Sequence, residues 1–311
     1  MAQKEERLKV IVFGCQQIAV DFIGYINSLE DVDIPLVVTY ELPLDKTYGY
    51  KSVLEEAKSF NVNVVNPPRI TEKLIDMIKE IKPDIIFSVY YRKIFPKELI
   101  QIPRLGCVNV HPSLLPKYRG PVPTAWAIMN GEKETGVTIH MIDEGVDTGD
   151  ILAQKAFKIG KEETGHELYV RAMKVGFDLL KERFYDIINQ KLAPQKQKGD
   201  ASFYGKLKSK YTIDWKQSAE NIRNLIRTRA KPYNVAESFF FNHYILINKT
   251  TILRSDKYTL QGAGKIVDVL DGEKLVVSCA DGYLVLDEYE IVPRLTDIEK
   301  AVYIKIGNRL G

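Results

Sequence analysis

Cysteine, histidine and long apolar runs are all scarce in this 311-residue chain. Its cysteines are far apart and form no C-x-x-C pair, so we expect neither a disulfide framework nor a zinc site; they are Cys15, Cys107 and Cys279. With four histidines and no H-x-x-x-H pattern, we expect no metal. No apolar run is long enough to span a bilayer, and the polar start MAQKEERLKV is unlike a signal peptide. We therefore expect a reduced, cytoplasmic protein with no membrane partner.

An excess of charge of one sign is also missing. The chain has 44 Lys and Arg against 41 Asp and Glu, a formal net charge of +3. Spread over this length, that charge gives no footprint for a nucleic-acid partner. The length exceeds the range of one typical core, so we expect one large domain and a smaller one.

Strand-like and helix-like segments alternate through the first part of the chain. The apolar run Leu8 to Gly14 is followed by a helix-like stretch, and further strands are indicated at DIIFSVY and GCVNV. This alternation predicts an α/β fold, a Rossmann-like, doubly wound and mostly parallel sheet with helices on both faces. A T-x-x-E capping box at Thr164 and Glu167 predicts the start of another helix.

The pattern changes toward the C-terminus. The polar segment from Gln190 to Ser202 is typical of a linker. Beyond it, Asp271-Gly272 and Asp281-Gly282 lie between apolar runs, as hairpin turns do. We therefore expect a large catalytic domain over residues 1–200 and a small, β-rich, barrel-like domain over residues 206–311.

The stretch GCVNVHPSLLPKYRG, residues 106–120, places polar side chains at the end of an apolar strand. Asn109 and His111 share one face of that strand, with Cα atoms roughly 6–7 Å apart. They either cap the strand by bonding to loop backbone or form part of an active site at the carboxyl edge of the sheet, where ligands bind. The proline-rich loop that follows favours a fixed site.

A second polar stretch, MIDEGVDTGDILAQ, covers residues 141–154. It is at least a tight Gly/Asp turn joining two strands. A calcium loop fits poorly, because the EF-hand register from Asp143 puts Gln154 where the bidentate Glu belongs.

Taken together, these stretches resemble the formyltransferase family that uses 10-formyltetrahydrofolate. The N-x-H pair, the SLLP stretch and the D-x-G-x-D-T-G loop of that family all stand here. The resemblance covers residues 8–195 well and the C-terminal domain more weakly. It implies Asn109, His111 and Asp147 as catalytic residues, 10-formyltetrahydrofolate as co-substrate, and neither a metal nor a covalent intermediate.

The residue types suit formyl transfer, in which an amine attacks a formamide carbon and negative charge develops on oxygen. Asn109 offers an N–H donor for that oxygen, and protonated His111 another. Asp147 near His111 would relay a proton through water. The resemblance also implies that the folate ring lies against the backbone of Lys93, Ile94 and Phe95 and of Asp143, Glu144 and Gly145.

The amine acceptor is predicted from finer resemblances. The segments FSVYYRK and KYRGPVPTAWAIMNGEKETGVT resemble the enzyme that formylates nucleotide-linked 4-amino-arabinose. The tRNA branch carries a glycine- and lysine-rich insertion after the second strand, whereas this chain has YELPLDKTYGYKS there, without a basic cluster. We therefore expect a UDP-, dTDP- or GDP-linked amino sugar as substrate, for surface polysaccharide biosynthesis, and a homodimer that binds no nucleic acid.

The residues predicted to contact this sugar nucleotide are Tyr90, Tyr91, Arg92, Ser113, Lys117, Arg119 and Trp126. Ordinary packing is the favoured explanation for any one of the aromatic residues, and solvated loop charge is an equal alternative for Lys117 and Arg119. Three other functions stay open. They are methionyl-tRNA formyltransferase, a folate- or nucleotide-binding module without catalysis, and hydrolysis of formyl-folate.

Overall fold

The computed structural model describes residues 7–40, 48–259 and 262–311, and the chain divides into two compact units. The first unit comprises Met1–Pro123, Thr135–Phe157 and Val170–Gly205, and the second comprises Thr124–Glu134, Lys158–Tyr169 and Lys206–Gly311. The domain boundary near residues 200–206 stays a prediction.

A seven-stranded sheet forms the centre of the first unit. Its strands are β1 (Leu8–Gly14), β2 (Val32–Val38), β3 (Val64–Val65), β4 (Ile85–Val89), β5 (Cys107–His111), β6 (Glu134–Met141) and β7 (Ile151–Lys158), in the order β3-β2-β1-β4-β5-β6-β7. The pairs β1/β2, β1/β4, β2/β3 and β4/β5 are parallel, whereas β5 and β6 are antiparallel. The predicted Rossmann-like, mostly parallel sheet is confirmed.

Helices follow several of these strands, as the predicted alternation of strands and helices requires. They are α1 (Gln16–Asn27), α2 (Val53–Ser59), α3 (Glu72–Ile81), α4 (Lys97–Ile100), α5 (Pro123–Met129) and α6 (Gly165–Ile188). The Thr71 hydroxyl accepts the Leu74 N–H and so caps α3. The predicted capping box of α6 is present, with the Thr164 N–H bonded to the Glu167 carboxylate and the Glu167 N–H to the Thr164 hydroxyl.

Apolar side chains cover both faces of the parallel strands. Val12 of β1 lies opposite Phe87 of β4, so these two side chains share one face of the sheet. Phe13 is the next residue of β1, and its side chain therefore points to the other face. On one face the Phe87 ring packs on Phe22 of α1, with ring centroids 5.0 Å apart. On the other, Phe13 belongs to the buried cluster that contains Ile78 of α3. Fully burying such side chains contributes about 1.5–3 kcal/mol each.

The second unit contains an antiparallel sheet in the order β10-β11-β12-β9-β8. Its elements are α7 (Ala219–Thr228), β8 (Ala236–Phe240), β9 (His243–Leu253), β10 (Ile266–Leu270), β11 (Lys274–Ser278), β12 (Tyr283–Val292) and α8 (Asp297–Tyr303). Asp271 and Gly272 both have positive φ, 50° and 73°, as the predicted turn between β10 and β11 requires. The β-rich C-terminal prediction is confirmed. Within residues 7–40, 48–259 and 262–311, no helix combines the length and apolarity needed to cross a membrane.

Candidate active site

Asn109 and His111 lie at the carboxyl end of β5, between the parallel strand β4 and the antiparallel strand β6. Asn109 is half-buried and pairs across the sheet with His140 of β6. The Asn109 Nδ2 atom lies 3.1 Å from His140 Nε2. The predicted polar face of β5 therefore continues onto the next strand.

His140 is a buried, neutral histidine that fixes the Asn109 amide. Its Nδ1 lies 2.8 Å from the Met141 carbonyl oxygen, so Nδ1–H donates there and Nε2 accepts from Asn109. Burial is the main cause that lowers the pKa of His140 to about 4, outweighing the opposing charge of Asp147. Since one N–H of the Asn109 amide is used by His140, the other is left for a ligand.

The low pKa of His140 predicts a pH-dependent stability. An unfolded histidine titrates near 6.5, so between pH 6.5 and 4 the unfolded chain binds a proton that the folded chain does not. The stabilisation is therefore full above pH 6.5 and is lost as the pH falls toward 4. Urea unfolding at pH 7 and pH 4.5 should show that wild type loses about 2–3 kcal/mol more than His140→Gln. Equal losses in the two proteins would contradict this account.

His111 faces Asp147 with one ring nitrogen and the loop backbone with the other. Its Nε2 lies 2.8 Å from the Tyr118 carbonyl oxygen, to which it donates. Its Nδ1 lies 3.5 Å from Asp147 Oδ2, and Asp147 Oδ1 lies 3.7 Å from His140 Nε2. The structure thus brings together the three predicted catalytic residues, with His140 as a fourth member.

The loop that carries Asp147 is shaped by close backbone contacts. Asp147 has a left-handed φ of 53°, a conformation that Asp tolerates better than most residues. Its Oδ2 accepts the Gly120 N–H at 2.8 Å. A Cβ at Gly149 would overlap the Met141 carbonyl oxygen, so only glycine allows this approach to β6. Asp143 closes the other half of the loop, because its Oδ1 accepts from the Thr148 hydroxyl at 2.6 Å.

Hydroxyl and amide side chains hydrogen-bond to the backbone of the SLLP stretch, residues 113–116, and of the residue that follows it. Ser113 is fully buried, and its hydroxyl donates to the Lys117 carbonyl oxygen at 2.7 Å. The Thr138 hydroxyl donates to the Ser113 carbonyl oxygen at 2.6 Å, and Gln154 Nε2 donates to the Leu115 carbonyl oxygen at 2.8 Å. Ser113 therefore fixes the loop itself, and its predicted contact with substrate stays a prediction.

The two tyrosines that follow β4 are packed in the interior rather than exposed to solvent. Tyr90 and Tyr91 are buried, and the Tyr91 ring lies edge-on to the Phe13 ring at 5.2 Å between centroids. Burial raises the pKa of Tyr91. Arg92 is exposed, and Lys93 donates from Nζ to the Pro67 carbonyl oxygen at 2.7 Å. For Tyr91, these contacts favour the packing explanation.

The two segments predicted to hold the folate ring lie next to each other. Lys97 Nζ of α4 and Glu144 Oε1 of the Asp147 loop are 2.7 Å apart. Ile94 in the first segment is 72% exposed, and Val146, directly after the second segment, is 39% exposed, while Phe95 is buried. Exposed apolar side chains thus lie in or beside these segments, and their contact with folate stays a prediction.

The remaining predicted residues differ in what they contact. Lys117 is exposed, whereas Arg119 donates from Nε and Nη2 to Gln197 Oε1 at 3.1 and 2.7 Å. Trp126 lies on α5, in the second unit, and its predicted contact with the substrate stays a prediction. Over the part of the chain that the structure describes, no group of three or more His, Cys, Asp or Glu side chains could hold a metal ion.

Two family descriptions match this chain. The description Formyl transferase matches residues 26–183, and Formyl transferase, C-terminal domain, matches residues 206–293. The chain belongs to the formyl transferase family. Membership of this family supports the predicted N-formyltransferase activity. The similar solved structures, which are also N-formyltransferases, confirm it.

Relatives of this formyltransferase include a methionyl-tRNA enzyme and a bifunctional protein. A methionyl-tRNA formyltransferase of Clostridioides difficile is 36% identical, over 97% of this chain and 98% of that protein. The bifunctional polymyxin resistance protein ArnA of Wigglesworthia glossinidia brevipalpis is 34% identical over 88% of this chain. The formyltransferase chain spans only 41% of the length of that ArnA.

The similar solved structures include two sugar enzymes. The N-formyltransferase of Helicobacter canadensis, in complex with folinic acid and dTDP-3-aminofucose, has a TM-score of 0.72 and 26% identity, covering 91% of this formyltransferase and all of that chain. WlaRD, a sugar 3N-formyl transferase crystallised in the presence of dTDP and 5-N-formyl-THF, has a TM-score of 0.71 and 25% identity, covering 93% and 100%. The predicted resemblance to sugar N-formyltransferases is confirmed.

Four residues of this formyltransferase site were missed by the sequence analysis. They are Thr138, His140, Gln154 and Gln197. The pairing of β6 with β5 could have identified His140, because an antiparallel register that sets it opposite Asn109 puts both side chains on one face.

Proposed function

We propose that this formyltransferase transfers the formyl group of 10-formyltetrahydrofolate to the primary amine of a nucleotide-linked amino sugar. The observation that carries the formyl-transfer chemistry is the convergence of Asn109, His111 and Asp147, with Asp147 3.5 Å from the His111 ring. A formyl-folate donor is supported by the family and by the folinic acid and 5-N-formyl-THF of the two sugar enzymes.

Each residue has a role that its contacts allow. The amine nitrogen attacks the formyl carbon, and the carbonyl oxygen takes up negative charge that the free N–H of Asn109 stabilises. The Asp147 carboxylate accepts the proton that the amine loses. His111, whose Nε2–H donates to the Tyr118 carbonyl, turns Nδ1 toward that carboxylate and takes this proton over from it. The same proton passes through water to the folate nitrogen as the bond between that nitrogen and the formyl carbon breaks.

The folate ring is proposed to lie on the paired segments Lys93–Phe95 and Asp143–Gly145. Ile94 and Val146 offer apolar side chains to a flat ring, and loop backbone offers donors and acceptors to its edge. An exposed ion pair joins Glu144 of the second segment to Lys97, which follows the first segment by two residues.

The sugar acceptor rests on three supports. The sequence after β2 lacks a basic cluster, although Glu41 to Thr47 lie outside the described residues. The Helicobacter canadensis enzyme was solved with dTDP-3-aminofucose, and ArnA is a relative. The second candidate is methionyl-tRNA formyltransferase, which the full-length identity to the Clostridioides difficile enzyme favours. A role in surface polysaccharide biosynthesis and a homodimeric assembly stay predictions from the resemblance.

One assay separates the two acceptors. Formyl transfer from 10-formyltetrahydrofolate should be measured with a panel of UDP-, dTDP- and GDP-linked amino sugars and, in parallel, with methionyl initiator tRNA. We expect kcat/KM for at least one sugar nucleotide to exceed that for a plain amino sugar by about 100-fold, since the nucleotide adds binding energy. Efficient formylation of the tRNA, falling steeply with salt, and no turnover of any sugar would overturn the proposed acceptor.

A further inference from the structure

The polar segment after α6 is bound to both catalytic loops of the first unit. We infer that Gln197 is a positioning residue for formyl transfer, which holds the Asp147 loop and the loop of Tyr118 to Gly120 in fixed relation. This inference rests on the proposed function. The term clamp segment is used below for residues 197–204.

The Gln197 amide uses both of its ends. Its Nε2 donates to the carbonyl oxygens of Asp147 and Gly149, each at 2.8 Å. Its Oε1 accepts two bonds from the Arg119 guanidinium, at 3.1 and 2.7 Å. Among side chains of this length, only a glutamine supplies both donors and acceptor, because glutamate lacks the donors and lysine lacks the acceptor.

The rest of the clamp segment binds the second loop through its backbone. The Arg119 N–H donates to the Ser202 carbonyl oxygen at 2.9 Å, and the Tyr204 N–H donates to the Arg119 carbonyl oxygen at 3.0 Å. The Ser202 hydroxyl accepts the Tyr118 N–H at 2.8 Å. A Cβ at Gly120 would overlap the Tyr204 carbonyl oxygen, so the two chains are in direct contact.

The residues bound by the clamp segment are themselves hydrogen-bonded to the catalytic side chains. The carbonyl of Tyr118 orients His111, and the N–H of Gly120 binds the Asp147 carboxylate. Gln197 holds the backbone carbonyl of Asp147 itself. The clamp segment therefore fixes both His111 and Asp147, whose side chains lie 3.5 Å apart. Reacting groups misplaced by about 1 Å can lose on the order of 100-fold in rate, so loosening this segment should act on kcat.

Two substitutions at Gln197 and one matched control test the inference. Gln197→Ala removes all four bonds, and the isosteric Gln197→Glu keeps only the acceptor for Arg119. Gln195→Ala is the control, because Gln195 is exposed and pairs with Ile151 through its backbone. We expect both Gln197 variants to lower kcat about 10- to 100-fold while KM for the formyl donor changes by less than about threefold, and the control to match wild type.

Amide hydrogen exchange supplies a readout that needs no turnover. Residues 117–120 and 143–149 should exchange faster in both Gln197 variants than in wild type or Gln195→Ala, without substrates present. Wild-type kcat in Gln197→Glu, an equal loss in Gln195→Ala, or unchanged exchange in both loops would overturn the inference. If wild type itself transfers no formyl group to any amine, the proposed function fails, whereas the exchange data still decide whether Gln197 holds the two loops.

Discussion

Replacing Asp147 with asparagine is expected to lower kcat for formyl transfer about 100- to 10,000-fold, the range typical of a lost general base. Asparagine keeps an oxygen that can accept the Gly120 N–H, so the loop should stay in place while the proton acceptor is lost. Steady-state kinetics with the formyl donor at saturation measure the effect.

Asp150→Asn is the matched control for Asp147→Asn. Asp150 lies on the same loop, where its carboxylate pairs with the exposed Lys196 at 3.1 Å. An exposed ion pair contributes about 0–1 kcal/mol, and we therefore expect less than a threefold change in kcat. A wild-type rate in Asp147→Asn would show that another group takes the proton from the amine.

Asn109→Ala should lower kcat about 100- to 1000-fold, because it removes an N–H donor for the developing oxyanion. His140 holds the amide in a fixed orientation in the free enzyme, so little reorganisation is needed during the reaction. Single-turnover rates with the acceptor in excess measure the loss.

Binding of 5-formyltetrahydrofolate is the control for Asn109→Ala. If Asn109 acts on the transition state, the dissociation constant of this unreactive formyl-folate should change by less than about threefold. A parallel loss in binding and in rate would assign Asn109 to folate binding instead.

The parts of the fold that depend on local pattern could be predicted from the sequence. Buried parallel strands are apolar on both faces, and β1 and β4 accordingly stand out. The caps at Thr71 and Thr164 and the turn at Asp271 follow from backbone chemistry within a few residues. In the site, the alternation along β5 placed Asn109 and His111 on one face.

Contacts between distant residues could not be predicted in this way. His140 lies on a strand that the sequence indicated, but periodicity alone does not fix the register that sets it opposite Asn109. Gln197 stands in a segment whose composition is typical of a linker, and its partners are 48 to 78 residues away. Arg119 is predicted to contact the sugar nucleotide, and its guanidinium is bonded to Gln197.

The contact between Gly120 and the Tyr204 carbonyl has a consequence for recombining members of this family. The polar composition of the stretch after α6 suggests a linker, where two related sequences could be joined. A join inside that stretch would place residues of one protein against the catalytic loops of the other. The first unit extends to Gly205. Chimeras that exchange residues 206–311 should therefore join after Gly205, so that each catalytic loop keeps the partner with which it packs.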